Sequence, residues 1–269
     1  MTYLSGIPPE LVCRLEAHSV SAWPATVTER VDDGWVLRAT PGLDRGRSNH
    51  ALTPCRELRP AEIPGAIARV RAFARRHEIW VGIQVSPLSV HDELMRALDR
   101  LGWGTRMSVR VLSARRDAGV WSEPAFDGFP SLTLELADNA TPEWLAAWER
   151  CEPGRDVDAH AHTVFRALAG RATFARLDDA AVGIAVDHDG LVGLFCLAVD
   201  PAHRRSGLGT ALVRALLARA SATTAYLQVE EVNAPAVALY ERLGFAEAYR
   251  YCHRVAPESS VFGGLSSAA

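Results

Sequence analysis

The sequence predicts an α/β protein made of two related units in tandem, and three observations carry that reading. Apolar runs of strand length alternate with segments of helical periodicity along most of the chain. The same order of elements then occurs twice, with similar segments at matching places: RALDRLGW (96–103) beside VALYERLGF (237–245), and WVGIQV (80–85) beside TAYLQV (224–229). The offset between the copies is nearly constant, 147 from Pro54 to Pro201, 144 from Val85 to Val229 and 142 from Leu101 to Leu243.

In the first copy, Asn49–Thr53 reads as a strand stopped by Pro54, Pro64–His77 as a helix, Trp80–Val85 as a strand and His91–Leu101 as a helix. Gly102-Trp103 then leads into a strand at Ser108–Leu112. In the second copy, Val192–Val199 is a continuous apolar run ended by Asp200-Pro201, as a buried strand and turn would be. Gly207–Ala220 places Leu208, Leu212, Ala215 and Leu216 on one helical face. Ala225–Val229 is a short strand, and Ala234–Leu243 a helix with Asn233 as N-cap, Pro235 in its first turn and Gly244 just past its end. Tyr249–Val255 closes the copy as a strand. Arg115–Pro130, rich in Gly, Pro and Asp, suits a linker, and Pro257–Ala269 a frayed tail. The expected domains are therefore 1–115 and 131–257, with a linker at 116–130 and a flexible tail at 258–269.

Composition narrows the function. With 48% hydrophobic and 23% charged residues the chain is ordinary for a soluble globular protein. A net charge of −3 gives no reason to expect nucleic acid or an anionic membrane as partner. All 29 basic residues are arginine, which excludes a catalytic lysine, a Schiff base or a P-loop lysine. No signal peptide opens the sequence, and the longest apolar strand run, Leu191–Val199, is far short of the ~20 residues that cross a bilayer. Five cysteines with no CxxC spacing read as free thiols in a reducing compartment, so the expected location is the cytoplasm.

The strongest chemical signal is Arg204-Arg205-Ser206-Gly207-Leu208-Gly209, between the apolar strand and the helix that follows. A helix start exposes unpaired N–H groups and the positive end of the dipole. Glycines there let a phosphate approach the backbone, and neighbouring arginines add charge-assisted contacts. A tight turn would use the same residues. The loop is no P-loop, because Gly-Lys-Ser/Thr is absent, and no dinucleotide fingerprint, because the third glycine of GxGxxG is missing.

The stretch LAVDPAHRRSGLGTALVRALL resembles the acyl-CoA motif of the GNAT (GCN5-related) N-acetyltransferase superfamily, R/Q-x-x-G-x-G/A, on Arg204, Gly207 and Gly209. NAPAVALYERLGF is similar to the family's second block on Asn233, Ala236, Leu239, Tyr240, Gly244 and Phe245, with Tyr240 33 residues beyond Gly207. The resemblance covers Ser131–Pro257, and the first half only as a faded copy. It implies a mixed central sheet flanked by helices and transfer of an acyl group, most simply acetyl, from CoA to an amine. The strand Leu194–Val199 would splay from Tyr226–Val229 to admit the pantetheine arm along its edge. Leu197, Ala198, Val199, Arg204, Arg205, Ser206, Gly207, Leu208, Gly209, Thr210 and Asn233 would hold acetyl-CoA, and Tyr240 would protonate the departing thiolate. For Tyr240 the plain alternative is a core tyrosine.

An attacking amine must be neutral, so a base is needed. Glu230 and Glu231, just after the strand Ala225–Val229, are the nearest carboxylates along the chain, and strand alternation lets only one face the cleft. Glu230 is the preferred candidate, with a solvated strand end as the alternative. Asp156, Asp158, His160 and His162 alternate as metal ligands on a strand would, but the helical residues after them favour a capped helix start, and no metal is expected. His188-Asp189-Gly190 reads as a hairpin turn. In the first copy Thr53–Leu58 lacks the glycine pair and Leu98 stands opposite Tyr240, so that half should not bind acetyl-CoA in the usual way. Its Trp23-Pro24, Gly34-Trp35 and Arg38–Asn49 segments fit either an acceptor pocket or interface, or a core with an Arg-rich loop. The sequence thus points to an acetyl-CoA-dependent N-acyltransferase, with a non-catalytic acyl-CoA sensor as the alternative. It leaves the acceptor amine, and monomer against homodimer, open.

Overall fold

A computed structural model describes residues 7–121 and 132–261. In chain order its first elements are α1 (Pro9–Ala22), β1 (Val27–Arg30), β2 (Val36–Ala39), α2 (Gly46–Asn49), β3 (Ala51–Leu52) and α3 (Ile63–Arg76). β4 (Gly82–Val85), α4 (Asp92–Arg100), β5 (Gly104–Arg115), β6 (Leu134–Ala137) and α5 (Pro142–Cys151) follow. A helical run then holds α6 (Val157–His160), one π turn (Ala161–Phe165) and α7 (Arg166–Leu168). The chain ends through β7 (Thr173–Leu177), β8 (Ala181–His188), β9 (Leu191–Val199), α8 (Leu208–Ala218), β10 (Thr224–Glu230), α9 (Ala234–Arg242) and β11 (Ala246–Val255). Every strand and helix expected from periodicity in the two copies is present, most with ends shifted by one to four residues.

The chain forms two compact units that interleave in sequence, whereas the expected halves were contiguous. One comprises Met1–Cys13, Ala25–Arg110 and Tyr249–Ala269; the other comprises Arg14–Pro24 and Val111–Ala248. The interleaving has a simple topological source. The last strand of each repeat crosses to the other unit: β4 takes β11 as its antiparallel neighbour, and β5 is the next strand beside β10. Local periodicity identifies a strand but not its partner, so this exchange leaves no trace in the sequence.

In the first unit the strand order is β1-β2-β3-β4-β11, with β3 and β4 parallel. Its core gathers Trp35, Ile67, Val70, Phe73, Ile83, Leu94, Leu98 and Trp103 under α3 and α4. Arg38 is fully buried in this unit; its Nε donates to the His50 carbonyl at 2.9 Å and its Nη2 to Gln84 Oε1 at 2.8 Å. Arg38, Thr40, Ser48 and Asn49 at the two ends of the Arg38–Asn49 segment are thus buried polar residues, while Pro41, Gly42 and Asp44 between them are exposed.

Two expectations need correction here. Cys13 and Cys55 are joined in a disulfide, 42 residues apart in sequence, while Cys151, Cys196 and Cys252 are outside any disulfide. The spacing of 42 has no motif, and the pair meets only because the strand β3 carries Cys55 back to α1. The expected frayed tail is ordered over Pro257–Val261, where Ser259 Oγ accepts the Val81 amide at 2.9 Å and Glu258 pairs with Arg71 at 2.8 Å. Of the expected linker 116–130, residues 116–121 are described, and Val120 is buried in the core of the second unit; residues 122–130 and the rest of the tail lie outside the described residues.

In the second unit the order is β10-β9-β8-β7-β6, antiparallel throughout except for the parallel β9–β10 pair. The β8–β9 hairpin turns on Asp189 (φ 52°) and Gly190 (φ 75°), the two positive φ values that a type I′ turn demands. One sheet face packs Leu194, Leu212, Leu216, Tyr240 and Phe245 with α8 and α9. An aromatic cluster of Trp23, Trp144, Trp148, Phe165, Phe174 and Phe195 is a second part of the core. Thr141 caps α5 by accepting the Trp144 amide at 3.2 Å, and Asp156 caps α6 by accepting the Ala159 amide at 2.9 Å. His160 is buried in the aromatic cluster, its ring 5.0 Å from that of Trp148, so the Asp/His run is indeed a capped helix start. Among the described residues no helix is long and apolar enough to cross a membrane, and no group of three metal-ligating side chains converges.

Candidate functional site

The site is built where β9 and β10 part. Their parallel ladder runs from Leu191↔Thr224 to Leu194↔Leu227 and stops there. Beyond it, Phe195–Val199 of β9 stays paired with β8 and has no register partner on β10, so its edge at Leu197–Val199 is open. A β-bulge falls on this open stretch. Ile184 faces Phe195 and Val182 faces Ala198, so Cys196 and Leu197 together stand opposite the single residue Gly183. Cys196 takes φ 48°, rare for any residue but glycine, and the bulge interrupts the regular ladder there. Nothing in the apolar run announces this bulge.

Because β9 and β10 are parallel, the loops that follow them lie at the same end of the sheet, where ligands of α/β sheets are usually held. The loop after β9 carries His203, Arg204, Arg205 and Ser206 and enters α8 through Gly207, which takes φ 100°. A side chain is disfavoured at that φ, so glycine is required by the turn itself. The helix then opens on the amides of Leu208 and Gly209, which have no carbonyl one turn earlier to bond. The Thr210 amide is already used, donating to the Gly207 carbonyl at 3.0 Å. Gly209 answers a packing need as well: a Cβ there would lie 3.1 Å from Leu239 Cδ2 and 3.8 Å from Val199 Cγ2. Its absence lets the start of α8 approach α9.

The two arginines differ. Arg204 folds back, its Nε donating to the Val199 carbonyl at 3.1 Å, and so ties the loop to the end of β9. Arg205 is exposed with φ 65° and no ion pair among the described residues, which leaves its guanidinium available to an anion. Ser206 Oγ donates to the His203 carbonyl at 2.6 Å and stiffens the same turn.

On the other side of the opening, β10 ends at Glu230, and residues Glu230–Asn233 are all exposed. The Asn233 side chain accepts the Ala236 amide at 3.3 Å and caps α9. This basic loop and the two glutamates give the opening a positive lip after β9 and a negative lip after β10.

Tyr240 lies on α9, buried to 7% exposure with its ring 6.1 Å from that of Phe245. Among the described residues its hydroxyl has no hydrogen-bond partner. Burial holds its pKa well above the usual phenol value, and the nearby charge of Glu152 adds to the shift. The phenol therefore keeps its proton. Glu152 follows α5 in the chain and has no motif around it, so sequence reasoning passed over it.

A second polar group braces the paired part of the fork. Tyr226, fully buried on β10 opposite Gly193, bonds through its hydroxyl to His18 Nδ1 at 2.8 Å. The His18 ring stacks on His188 at 3.8 Å. Burial first, and then the neighbouring His188, lower the His18 pKa to about 4. These residues sit in three distant segments, and no sequence spacing links them.

Comparison with known proteins bears on the same regions. The family described as "Probable histone acetyltransferase Rv0428c C-terminal" matches residues 12–254. A segment of 58 residues is 50% identical to the [Ribosomal protein bS18]-alanine N-acetyltransferase of Escherichia coli strain K12, covering 20% of this chain and 39% of that protein's length. Among solved structures, a GCN5-related N-acetyltransferase from Kribbella flavida aligns over 92% of this chain and 96% of its own, with TM-score 0.68 and 19% identity. A tandem GNAT protein from the clavulanic acid biosynthesis pathway aligns over 90% and 87%, with TM-score 0.58 and 15% identity.

Proposed function

We propose that this chain, which belongs to the GNAT superfamily and to the family that matches residues 12–254, moves an acetyl group from acetyl-CoA to a primary amine at the β9–β10 fork. The observation that carries the reading is the end of the parallel ladder at Leu194↔Leu227, at the same end of the sheet as the positive-φ glycine that opens α8. In this reading the open edge of β9, at Leu197, Ala198 and Val199, pairs with the amides of the pantetheine arm as an added strand would. The loop from Arg204 to Gly209 receives the pyrophosphate, with the Gly207, Leu208 and Gly209 amides and the Arg205 guanidinium as donors. Arg204 and Thr210, engaged to Val199 and Gly207, hold the loop in shape. Asn233, on the opposite lip, caps α9 and borders the arm.

A backbone N–H of the β9 stretch beyond Leu194 would stabilise the oxyanion when the amine attacks the thioester carbonyl. The attack forms the C–N bond through a tetrahedral intermediate. The C–S bond then breaks, and Tyr240 gives its proton to the departing thiolate sulfur. Glu230, exposed on the negative lip, takes the proton of the incoming ammonium directly or through water, with Glu231 as its neighbour. An alanine N-terminus is the substrate named for one relative, so a polypeptide N-terminal amine is the first acceptor to test. A thermal-shift series with CoA, acetyl-CoA and longer acyl-CoAs tests the reading. Acetyl-CoA should raise the melting temperature by mass action, and a folded chain that gives no shift with any of them would remove the proposal.

A further inference from the structure

The first unit carries a groove that no part of the transfer reaction uses. It lies between α3 and α4, has a volume of about 450 Å³, and is floored by Ile63, Ile67, Ala68 and Leu101. Leu101 is 44% exposed, one of three large apolar residues standing in solvent among the described residues. The rim is cationic. Arg71 is held in place by Glu258 at 2.8 Å and lies 5.7 Å over the Trp103 ring. Arg75 and Arg100 are exposed and make no ion pair among the described residues.

We propose that this groove docks an acidic amphipathic helix of a polypeptide partner. Length, floor and charge agree on that occupant. Ile63, Ile67, Arg71 and Arg75 follow one another at i, i+4 spacing on α3, so the groove runs about 18 Å, or about three helical turns, at 1.5 Å per residue. The small side chains of Ala68 and Ala97 in the lining leave room for a helix to come close. Apolar side chains at i, i+3, i+4 and i+7 of the partner would cover Ile67, Ala68 and Leu101. Carboxylates flanking that stripe would meet Arg75 and Arg100, whose planar forks bind carboxylates in pairs. A nucleic acid would find the arginines but gain little from an apolar floor, because its outer surface is phosphate.

The test uses the full chain and a fluorescein-labelled 14-residue helical peptide with leucines at i, i+3, i+4 and i+7 flanked by glutamates. A control peptide carries lysine in place of each glutamate. Anisotropy should show saturable binding of the glutamate peptide, weakening as salt is raised. Arg75→Glu with Arg100→Glu, and separately Leu101→Asp, should weaken it by about tenfold or more, as expected when paired charges or a docking anchor are lost. Both variants should keep the wild-type melting temperature, since all three side chains are exposed. No saturation below about 1 mM, equal binding of the lysine peptide, or indifference to both variants would overturn the proposal. So would self-association in sedimentation that Leu101→Asp abolishes, because the occupant would then be a second copy of this chain.

Discussion

Replacing Tyr240 by Phe separates a chemical role from a structural one. The change removes one oxygen from a residue that is 7% exposed, and that oxygen has no hydrogen-bond partner among the described residues. No bond is lost and the ring packing against Phe245 is kept. The folded state should therefore change by less than about 0.5 kcal/mol, the range of substitutions that remove no specific contact. Turnover should behave quite differently. If Tyr240 protonates the thiolate, its loss removes general-acid catalysis, about 10²–10⁴-fold. At 1.36 kcal/mol per factor of ten, that is about 2.7–5.4 kcal/mol of barrier. The assay follows free thiol released from acetyl-CoA at saturating amine, beside acetyl-CoA affinity measured by calorimetry. The expected pattern is a collapse of kcat with an unchanged dissociation constant and melting temperature. A near-normal kcat would refute the assignment, and a large fall in stability would show Tyr240 to be chiefly a core residue. Because the folded phenol has a raised pKa, its contribution to stability is complete below pH ~10, the unfolded value, and is lost as pH rises above it.

Three further outcomes follow from other parts of the chain. Gly207→Ala forces a side chain onto φ 100°, which should cost about 1–2 kcal/mol and weaken acetyl-CoA binding by more than tenfold, read by thermal melting and calorimetry. Reduction of Cys13–Cys55, or the Cys13→Ser, Cys55→Ser pair, opens a loop of 42 residues and should destabilise by up to about 4 kcal/mol on the chain-entropy estimate, seen as a lower melting temperature in thiol reductant. Acid should destabilise the first unit through buried imidazoles: burial, then Arg106 and Arg38, lower His50 to about 3, and burial lowers His91 to about 4. Their stabilisation is complete above the unfolded value of about 6.5 and is lost as pH falls toward the folded values. His91→Gln should flatten that slope in a urea titration between pH 7 and 4.

Much of the fold was legible because its signals are local. The continuous apolar run of β9, the i, i+4 leucines of α8, the Asn233 cap and the Asp189-Gly190 turn each need only neighbouring residues to be read. The duplicated order was legible for the same reason. Partnership was not. Exchange of β5 and β11 between units, the Cys13–Cys55 bond and the His18–Tyr226 contact join segments separated by 42 to more than 200 residues. Within the site, Gly207 is required by the φ of its own turn, whereas Gly209 answers to Leu239 on another helix. Arg204 and Arg205 look equivalent in sequence, yet one carbonyl, that of Val199, takes only Arg204. The bulge at Cys196 had no signal at all, since a cysteine in an apolar run gives no hint of a positive φ.

Acetyl transfer at the β9–β10 fork is tested by an experiment that couples thiol release to product identity. The full chain would be incubated with acetyl-CoA and a panel of peptides bearing free N-terminal amines together with small primary amines. Free thiol and acetylated amine would be quantified by mass spectrometry in the same samples. One new amide should appear per thiol released, and both should be lost in the folded Tyr240→Phe protein. Saturable binding of acetyl-CoA without thiol release across the whole panel would contradict acetyl transfer and leave an acyl-CoA sensor in place of an enzyme.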